Sequence, residues 1–383
     1  MGTVMRRVAI LGSTGSIGTQ ALDVAAHLGL EVRGLAAGSN WRALKEQIER
    51  FRPARAALAD PAAGEALSKA LNGSPTAVLP GPEGVRAVAA GEDVEVVLCG
   101  ISGAAALGPV LAAAERGKTL ALANKEALVM AGPILLEAAR ASGARIVPVD
   151  SEHSAVFQAL RAGHRREVRR VILTASGGPF ARLSRAELED VTPEQALRHP
   201  TWDMGGKITI DSATMFNKAL EIVEAKWLFD LEPSQIEVVL HPQSIVHSLV
   251  EFVDGSVVAQ MSVPDMRAPI QYAFTFPERA AGTVRPLDLA EVGVLTFERP
   301  DREKFPSLEL GYRAAEAGGT LGAVLNAANE VAVGLFLERR IRFPQIFDVV
   351  RRVMDRHRGV ARPSLEDVLQ ADAWARQEAR WNS

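Results

Sequence analysis

The chain has 383 residues, more than one hydrophobic core ordinarily supports, so two or three domains are expected. Hydrophobic residues make up 48% and charged residues 23% of it, at a net charge of -3, which leaves little room for long disordered tracts. The absence of a Lys/Arg-rich block removes the electrostatic footprint of a nucleic-acid or membrane-surface binder and points to small-molecule partners. The single cysteine, Cys99, excludes a disulfide within the chain, and no apolar stretch reaches the ~18 residues of a membrane span. Arg6-Arg7 runs directly into Val8-Ala9-Ile10-Leu11 with no leader-like region, so a cytoplasmic protein is expected.

From Arg7 to about Asp150, short apolar runs at 8–11, 31–36, 56–58, 94–99, 119–122 and 145–149 alternate with Ala-rich amphipathic stretches. That is the pattern of βα units around a parallel sheet covered on both faces, and it predicts a doubly wound, Rossmann-like nucleotide-binding domain over 1–149. Gly12-Ser13-Thr14-Gly15-Ser16-Ile17-Gly18 follows the first strand and opens a helical stretch at 19–27, where backbone N-H groups can approach a pyrophosphate. A tight strand-to-helix turn without a ligand would use the same residues. The glycines fall at positions 1, 4 and 7 of the turn, as in dinucleotide folds that favour NADP. The second strand ends in Ala36-Ala37-Gly38-Ser39-Asn40-Trp41-Arg42, with no carboxylate to repel a 2'-phosphate, so NADPH is expected over NADH.

Leu122-Ala123-Asn124-Lys125-Glu126 stands at a predicted strand end, where such a domain meets its substrate; a surface ion pair between Lys125 and Glu126 is the alternative. In Val149-Asp150-Ser151-Glu152-His153-Ser154 two carboxylates lie two residues apart after an apolar run, suited either to a hard divalent cation or to a helix cap with an acidic first turn. Beyond Asp150 longer β-rich segments at 168–174, 236–240 and 248–261 are separated by loops dense in Gly, Ser, His and Asn, giving a central α+β domain over 150–280. Thr174-Ala175-Ser176-Gly177-Gly178-Pro179 is a turn able to offer hydroxyl and N-H groups to a phosphate. The loop around His199, Trp202 and Met204, bounded by Pro200 and Gly205-Gly206, has the make-up of a mobile lid near 196–206.

A helix over 213–224 would set Asn217, Glu221 and Glu224 on one face with Lys218 beside it, a pattern that an ordinary solvated helix face also shows. Only eight of the 43 basic residues are lysines, yet Lys125, Lys207 and Lys218 fall in these polar segments, where a compact ammonium suits the chemistry. Pro277, Pro286, Pro300 and Pro306 mark an extended linker over 281–306. Residues 307–383 read as a helical bundle, with apolar residues at helical spacing in 321–337 and 346–354 and a further start at Ser364, three residues before Asp367.

Taken in order, GSTGSIG, LANKE, VDSEHSA, TASGGPF, HPTWDMGGKITIDSATMFNKALE and HPQSIVHS resemble the 1-deoxy-D-xylulose 5-phosphate reductoisomerase family of non-mevalonate isoprenoid synthesis, over essentially the whole chain. The resemblance implies an oxidoreductase that rearranges and reduces a sugar phosphate with NADPH and one Mg2+ or Mn2+ ion, and that is typically a homodimer. It assigns Asp150, Glu152 and Glu221 to the metal and Ser176, Ser212, Asn217 and Lys218 to the phosphate, with His199 beside them. Lys125 and Ser151 would contact the substrate backbone. Thr14, Gly15, Ser16, Ile17, Gly38, Asn40, Asn124, Glu126 and Gly205 would face NADPH, with Trp202 and Met204 in the lid and Met266 over the nicotinamide. The chain departs from the family at Ser39, where Lys or Arg is frequent, leaving Arg42 or a residue elsewhere to supply a cation for the 2'-phosphate. Two other readings remain open: an NADP-linked aldehyde or semialdehyde dehydrogenase, which would need a reactive Cys99, and a non-catalytic NADPH-binding protein.

Overall fold

The computed structural model describes residues 6–202 and 204–380. The chain divides into two compact units. The first comprises Met1–Ala127, Leu135–Ser154 and Asp265–Arg285; the second comprises Leu128–Ile134, Ala155–Pro264 and Pro286–Ser383.

The first unit is built on seven strands: β1 Arg7–Leu11, β2 Glu31–Ala37, β3 Arg55–Leu58, β4 Ala77–Pro80, β5 Val96–Cys99, β6 Thr119–Leu122 and β7 Arg145–Pro148. They form one parallel sheet in the order β4-β3-β2-β1-β5-β6-β7. The apolar runs of β1 and β5 are buried along almost their whole length, as a parallel strand covered on both faces requires. The order reverses at β1, which pairs with β2 on one side and β5 on the other, and the C-terminal ends of these strands are where such sheets place ligands. β4 was not expected from the sequence: its residues are exposed or half-buried and it ends in Pro80, as an edge strand can. Helix Arg267–Thr275 also belongs to this unit, and Arg6 donates to the carbonyls of Phe274 (2.9 Å) and Phe276 (2.7 Å) at its end.

The second unit carries a four-stranded sheet of β8 Val168–Ala175, β9 Ile236–Leu240, β10 Val246–Phe252 and β11 Val257–Met261, in the order β11-β10-β8-β9. β8 and β9 are parallel and the other pairings antiparallel. The β-rich stretch predicted over 248–261 is two strands folded at Gly255, whose φ of 85° suits a residue without a side chain. The helix expected over 213–224 is found as Phe216–Phe229, and a separate helix precedes it. Helix Gly206–Ala213 stops, Met215 adopts a left-handed conformation (φ 60°), and helix Phe216–Phe229 starts in a new direction. Helix Ser307–Ala317 packs against it closely enough that a Cβ on Gly311 would lie 2.6 Å from the carbonyl oxygen of Ala219.

Helices Leu321–Leu337, Phe343–Arg356 and Leu365–Arg380 form the predicted bundle. Ser364 and Asp367 cap the last of them reciprocally, Asp367 N-H donating to Ser364 Oγ (3.2 Å) and Ser364 N-H to Asp367 Oδ2 (2.8 Å). Phe216 is fully buried and stacks on Phe347 at 5.9 Å, so the helix that carries Asn217, Lys218 and Glu221 rests on this bundle. Among the described residues no helix is long and apolar enough to cross a membrane.

The close approach at Gly311 makes a simple prediction. Gly311→Ala should overpack the contact and cost about 1–3 kcal/mol, lowering the thermal midpoint measured by circular dichroism. An unchanged midpoint would mean that the two helices have room to spare.

Candidate active site

In the first unit the chain leaves β1 into the glycine turn. Gly12 and Ser13 N-H groups donate to the carbonyl of Ala36 at 2.8 and 2.9 Å, which folds the turn over the end of β2. A Cβ on Gly18 would lie 2.2 Å from the carbonyl oxygen of Gly12, so only glycine lets helix Ser16–Leu28 come this close. The helix begins at Gly15 with no side-chain cap and no acid in its first turn, leaving its first N-H groups to an anion. Gly15 and Ser16 are exposed, Thr14 and Ile17 half-buried, and Gly38, Ser39 and Asn40 exposed at the end of β2. Ser13 Oγ is buried and has no hydrogen-bond partner among the described residues. A backbone cradle of this kind fits a pyrophosphate. Asn40 caps helix Trp41–Phe51, while the Arg42 guanidinium stacks over the Trp41 ring at 4.6 Å.

Asn124 and Glu126 are buried and shape the neighbouring loop. Asn124 Nδ2 donates to the carbonyls of Ile101 (2.9 Å) and Gly103 (3.1 Å) and to Glu126 Oε2 (2.7 Å), while Glu126 Oε1 accepts from Gly103 N-H (3.0 Å). The surface pair between Lys125 and Glu126 offered as an alternative is therefore not what forms. Lys125 Nζ instead meets Asp150 Oδ2 at 2.6 Å, with both side chains nearly out of solvent. Asp150 stands just before helix Ser151–Ala159 and accepts from Glu152 N-H (3.2 Å), so the capping reading of this acidic pair holds structurally. Ser151 Oγ donates to Glu152 Oε2 at 2.6 Å. His153, which the sequence reading passed over, has Nδ1 3.3 Å from Asp150 Oδ1 and is fully buried; its place three residues after Asp150 on a helix was the available signal.

The second unit brings three of the expected phosphate residues into direct contact. His199 Nδ1 accepts from the N-H groups of Thr201 (3.1 Å) and Trp202 (2.9 Å), which fixes the neutral tautomer with its proton on Nε2. That proton faces Ser176 Oγ at 3.0 Å and Ser212 Oγ at 3.1 Å. Burial depresses the His199 pKa to about 4. Gly178 approaches so closely that a Cβ there would sit 2.7 Å from the carbonyl oxygen of Ser212, which keeps the Ser176 turn against the end of helix Gly206–Ala213. Gly205 starts that helix, and Thr209 Oγ1 donates back to the carbonyls of Gly205 (2.9 Å) and Met204 (3.4 Å). The Trp202 indole stands 6.5 Å from the His247 ring; Asp203 lies outside the described residues.

On helix Phe216–Phe229, Glu221 is fully buried, and Lys218 and Glu224 are nearly so, which overturns the solvated-face alternative. Asn217 Nδ2 donates to Glu221 Oε1 at 2.6 Å and Lys218 Nζ pairs with Glu221 Oε2. Lys207 makes a 2.5 Å ion pair with the buried Asp211, which also accepts from Asn329 Nδ2 at 2.8 Å. Neither Asp211 nor Asn329 was singled out from sequence. Asp150 and Glu152 in the first unit and Glu221 in the second carry carboxylate oxygens, the donor type that suits a hard cation such as Mg2+ or Mn2+.

Family models cover most of the chain. That of 1-deoxy-D-xylulose 5-phosphate reductoisomerase matches residues 8–132, and those of its C-terminal domains match 146–229 and 261–378. The 1-deoxy-D-xylulose 5-phosphate reductoisomerase of Heliobacterium modesticaldum is 54% identical over 380 residues, 98% of this chain and 97% of that protein. The chain belongs to the 1-deoxy-D-xylulose 5-phosphate reductoisomerase family. The Chlorobium limicola member is 52% identical over 98% of this chain and 99% of its own length. A crystal structure of a reductoisomerase in complex with NADPH, fosmidomycin and magnesium superposes with a TM-score of 0.92 at 39% identity, covering 98% of this chain and 97% of that one. The Zymomonas mobilis enzyme in complex with NADPH gives 0.91 at 42% identity, covering 98% of both chains.

A semialdehyde dehydrogenase of the acyl-enzyme kind is excluded by Cys99. It is sealed in β5, and burial pushes its thiol up to about 12, far from the thiolate such a reaction needs.

The His199 geometry predicts a pH effect. The unfolded chain takes up this proton near pH 6.5 and the folded chain only near about 4, so the unfolded state binds more protons between those values. The contribution to stability is therefore full above about pH 6.5 and is lost as pH falls towards about 4. Thermal midpoints recorded from pH 7 to 4 should fall less steeply in His199→Asn than in the parent protein; parallel curves would contradict the assignment.

Proposed function

We propose that this chain catalyses the metal-dependent rearrangement and NADPH-dependent reduction of 1-deoxy-D-xylulose 5-phosphate to 2-C-methyl-D-erythritol 4-phosphate, a step of non-mevalonate isoprenoid synthesis. The full-length likeness to reductoisomerases carries this reading, and the complexes of the structural relatives with NADPH and magnesium support its cofactors. A bound divalent cation supplies Lewis-acid polarisation of the substrate's carbonyl, and NADPH supplies the hydride.

In this reading residues 1–149 bind NADPH, 150–280 hold the metal and substrate with a lid near 196–206, 281–306 link, and 307–383 form the supporting helical domain. The glycine turn with Thr14, Gly15, Ser16 and Ile17 takes the pyrophosphate, with Gly38, Asn40, Asn124, Glu126 and Gly205 completing the cofactor contacts. Asp150, Glu152 and Glu221 are the ligands of one Mg2+ or Mn2+. Lys125 anchors Asp150 through an ion pair and, with Ser151, reaches the substrate backbone; its near-buried pairing at 2.6 Å supports the first role. The phosphate is held by the hydroxyls of Ser176 and Ser212, Asn217, Lys218 and the Nε2 proton of His199. A neutral imidazole supplies a donor there at ordinary pH with no need to gain a proton, as the depressed pKa implies. The Lys218 ammonium, paired with Glu221, would divide its charge between that carboxylate and the incoming phosphate. Trp202 and Met204 close over the ligand, and Met266 covers the nicotinamide. We further propose that the protein works as a cytoplasmic homodimer.

The deciding experiment follows NADPH absorbance on adding 1-deoxy-D-xylulose 5-phosphate with and without Mg2+ or Mn2+. Metal-dependent loss is expected, and none would overturn the proposal. Glu221→Gln and Asp150→Asn should each lower that rate by about 100-fold or more while circular dichroism is unchanged, since even residues one shell further out commonly matter that much. Full turnover by either variant would remove it from the metal site.

A further inference from the structure

The segment 294–307, most of it within the linker expected over 281–306, is fastened to three loops of the second unit. The backbones of Leu240 and Glu298 bond in both directions, at 2.8 and 3.0 Å. His241 Nδ1 donates to the carbonyl of Thr296 at 2.8 Å, its Nε2 accepts from Ile245 and Val246 N-H, and its ring stacks on Phe297 at 4.7 Å. Ser307 Oγ donates to the carbonyl of Thr214 at 2.6 Å, at the corner between the helices bearing Ser212 and Asn217. Lys304 reaches furthest: its Nζ donates to the carbonyls of Phe180 (2.8 Å) and Ala181 (3.0 Å), directly after the Ser176-Gly177-Gly178-Pro179 turn.

That turn contains two glycines with positive φ, 83° at Gly177 and 65° at Gly178, and so has more backbone freedom than a stretch without glycine. Its fixed shape is imposed in part at its ends. On the entry side His241 N-H donates to the carbonyl of Ala175 at 2.7 Å. On the exit side Lys304 does the same work with a charge. The residue is buried, and its backbone is set by Asp301 Oδ1, which accepts from the N-H groups of Glu303 and Lys304 at 3.0 Å each. An ammonium withdrawn from water must find acceptors, and among the described residues it donates to those two carbonyl oxygens.

We propose that Lys304 is a positioning residue for substrate phosphate: by clamping the carbonyls of Phe180 and Ala181 it holds the 176–180 turn so that Ser176 Oγ stays beside His199 Nε2. The proposal rests on the reading that this turn takes the phosphate. Lys304→Met keeps the aliphatic stem and removes both hydrogen bonds. In it, hydrogen exchange of peptides covering 176–182 should quicken while those covering 94–99 are unchanged. The KM for 1-deoxy-D-xylulose 5-phosphate should rise by about tenfold or more, as losing hydrogen bonds from a charged donor does, with kcat within about threefold and NADPH affinity unaltered. Lys304→Arg, which can still donate to both carbonyls, should restore KM. Unchanged exchange at 176–182 overturns the proposal whatever the activity, and so does an unchanged KM. Exchange that quickens throughout the second unit, with NADPH affinity and kcat falling alongside KM, assigns Lys304 a purely structural role and overturns it too. If Lys304→Met does not fold, Lys304→Gln is read by the same criteria. A parent protein that fails to turn over the substrate removes the functional reading, whereas the exchange comparison still decides whether Lys304 holds the turn.

Discussion

A carboxylate cut off from water is the constraint on which the second unit is organised. Glu221 has no solvent exposure, and an ionised group there is tolerable only if its oxygens are matched at once by donors. Asn217 and Lys218 provide two of them from one turn earlier on the same helix. The helix therefore has to be held firmly, and the chain does this with apolar packing. Phe216 lies on Phe347, and Gly311 lets a neighbouring helix press against Ala219. Here the C-terminal bundle fixes the helix that carries Glu221 through packing alone.

Much of this was legible in sequence wherever one physical cause leaves one pattern. Parallel strands buried on both faces have to be apolar throughout, so five of the seven strands of the first sheet stood out as runs close to their observed bounds, and β6 matched at both ends. β4 escaped because its short apolar run ends in Pro80 and lies between Pro75 and Pro82, so that it reads as a loop. Polarity on the helix carrying Asn217, Lys218, Glu221 and Glu224 was visible, but its meaning was not. A face turned to water and a face turned to buried partners have the same composition, and burial alone separates them. The break at Met215 was illegible for another reason: methionine seldom takes a left-handed conformation, and nothing in its side chain announces one.

Residues whose partners are backbone atoms far along the chain were the hardest to find. Lys304 bonds to carbonyls 124 and 123 residues away, and His241 to one 55 residues away. Carbonyl oxygens have no identity in a sequence, so no spacing rule points to them. Lys125, Lys207 and Lys218, by contrast, pair with carboxylates that can be read as letters. That difference explains why the lysine clusters drew notice while Lys304, set among prolines, looked like part of a spacer.

The condition of Cys99 has a practical side. It is the chain's one thiol, it is shut inside a strand, and burial holds it in the protonated form. Ordinary maleimide and iodoacetamide reagents require an accessible thiolate. The native sequence can thus serve directly as a silent background for site-specific labels: a cysteine introduced on the loop around Trp202 would be the one position to take a fluorophore or spin probe. Movements of that loop could be followed without first altering any residue of the sheet beneath the nucleotide turn.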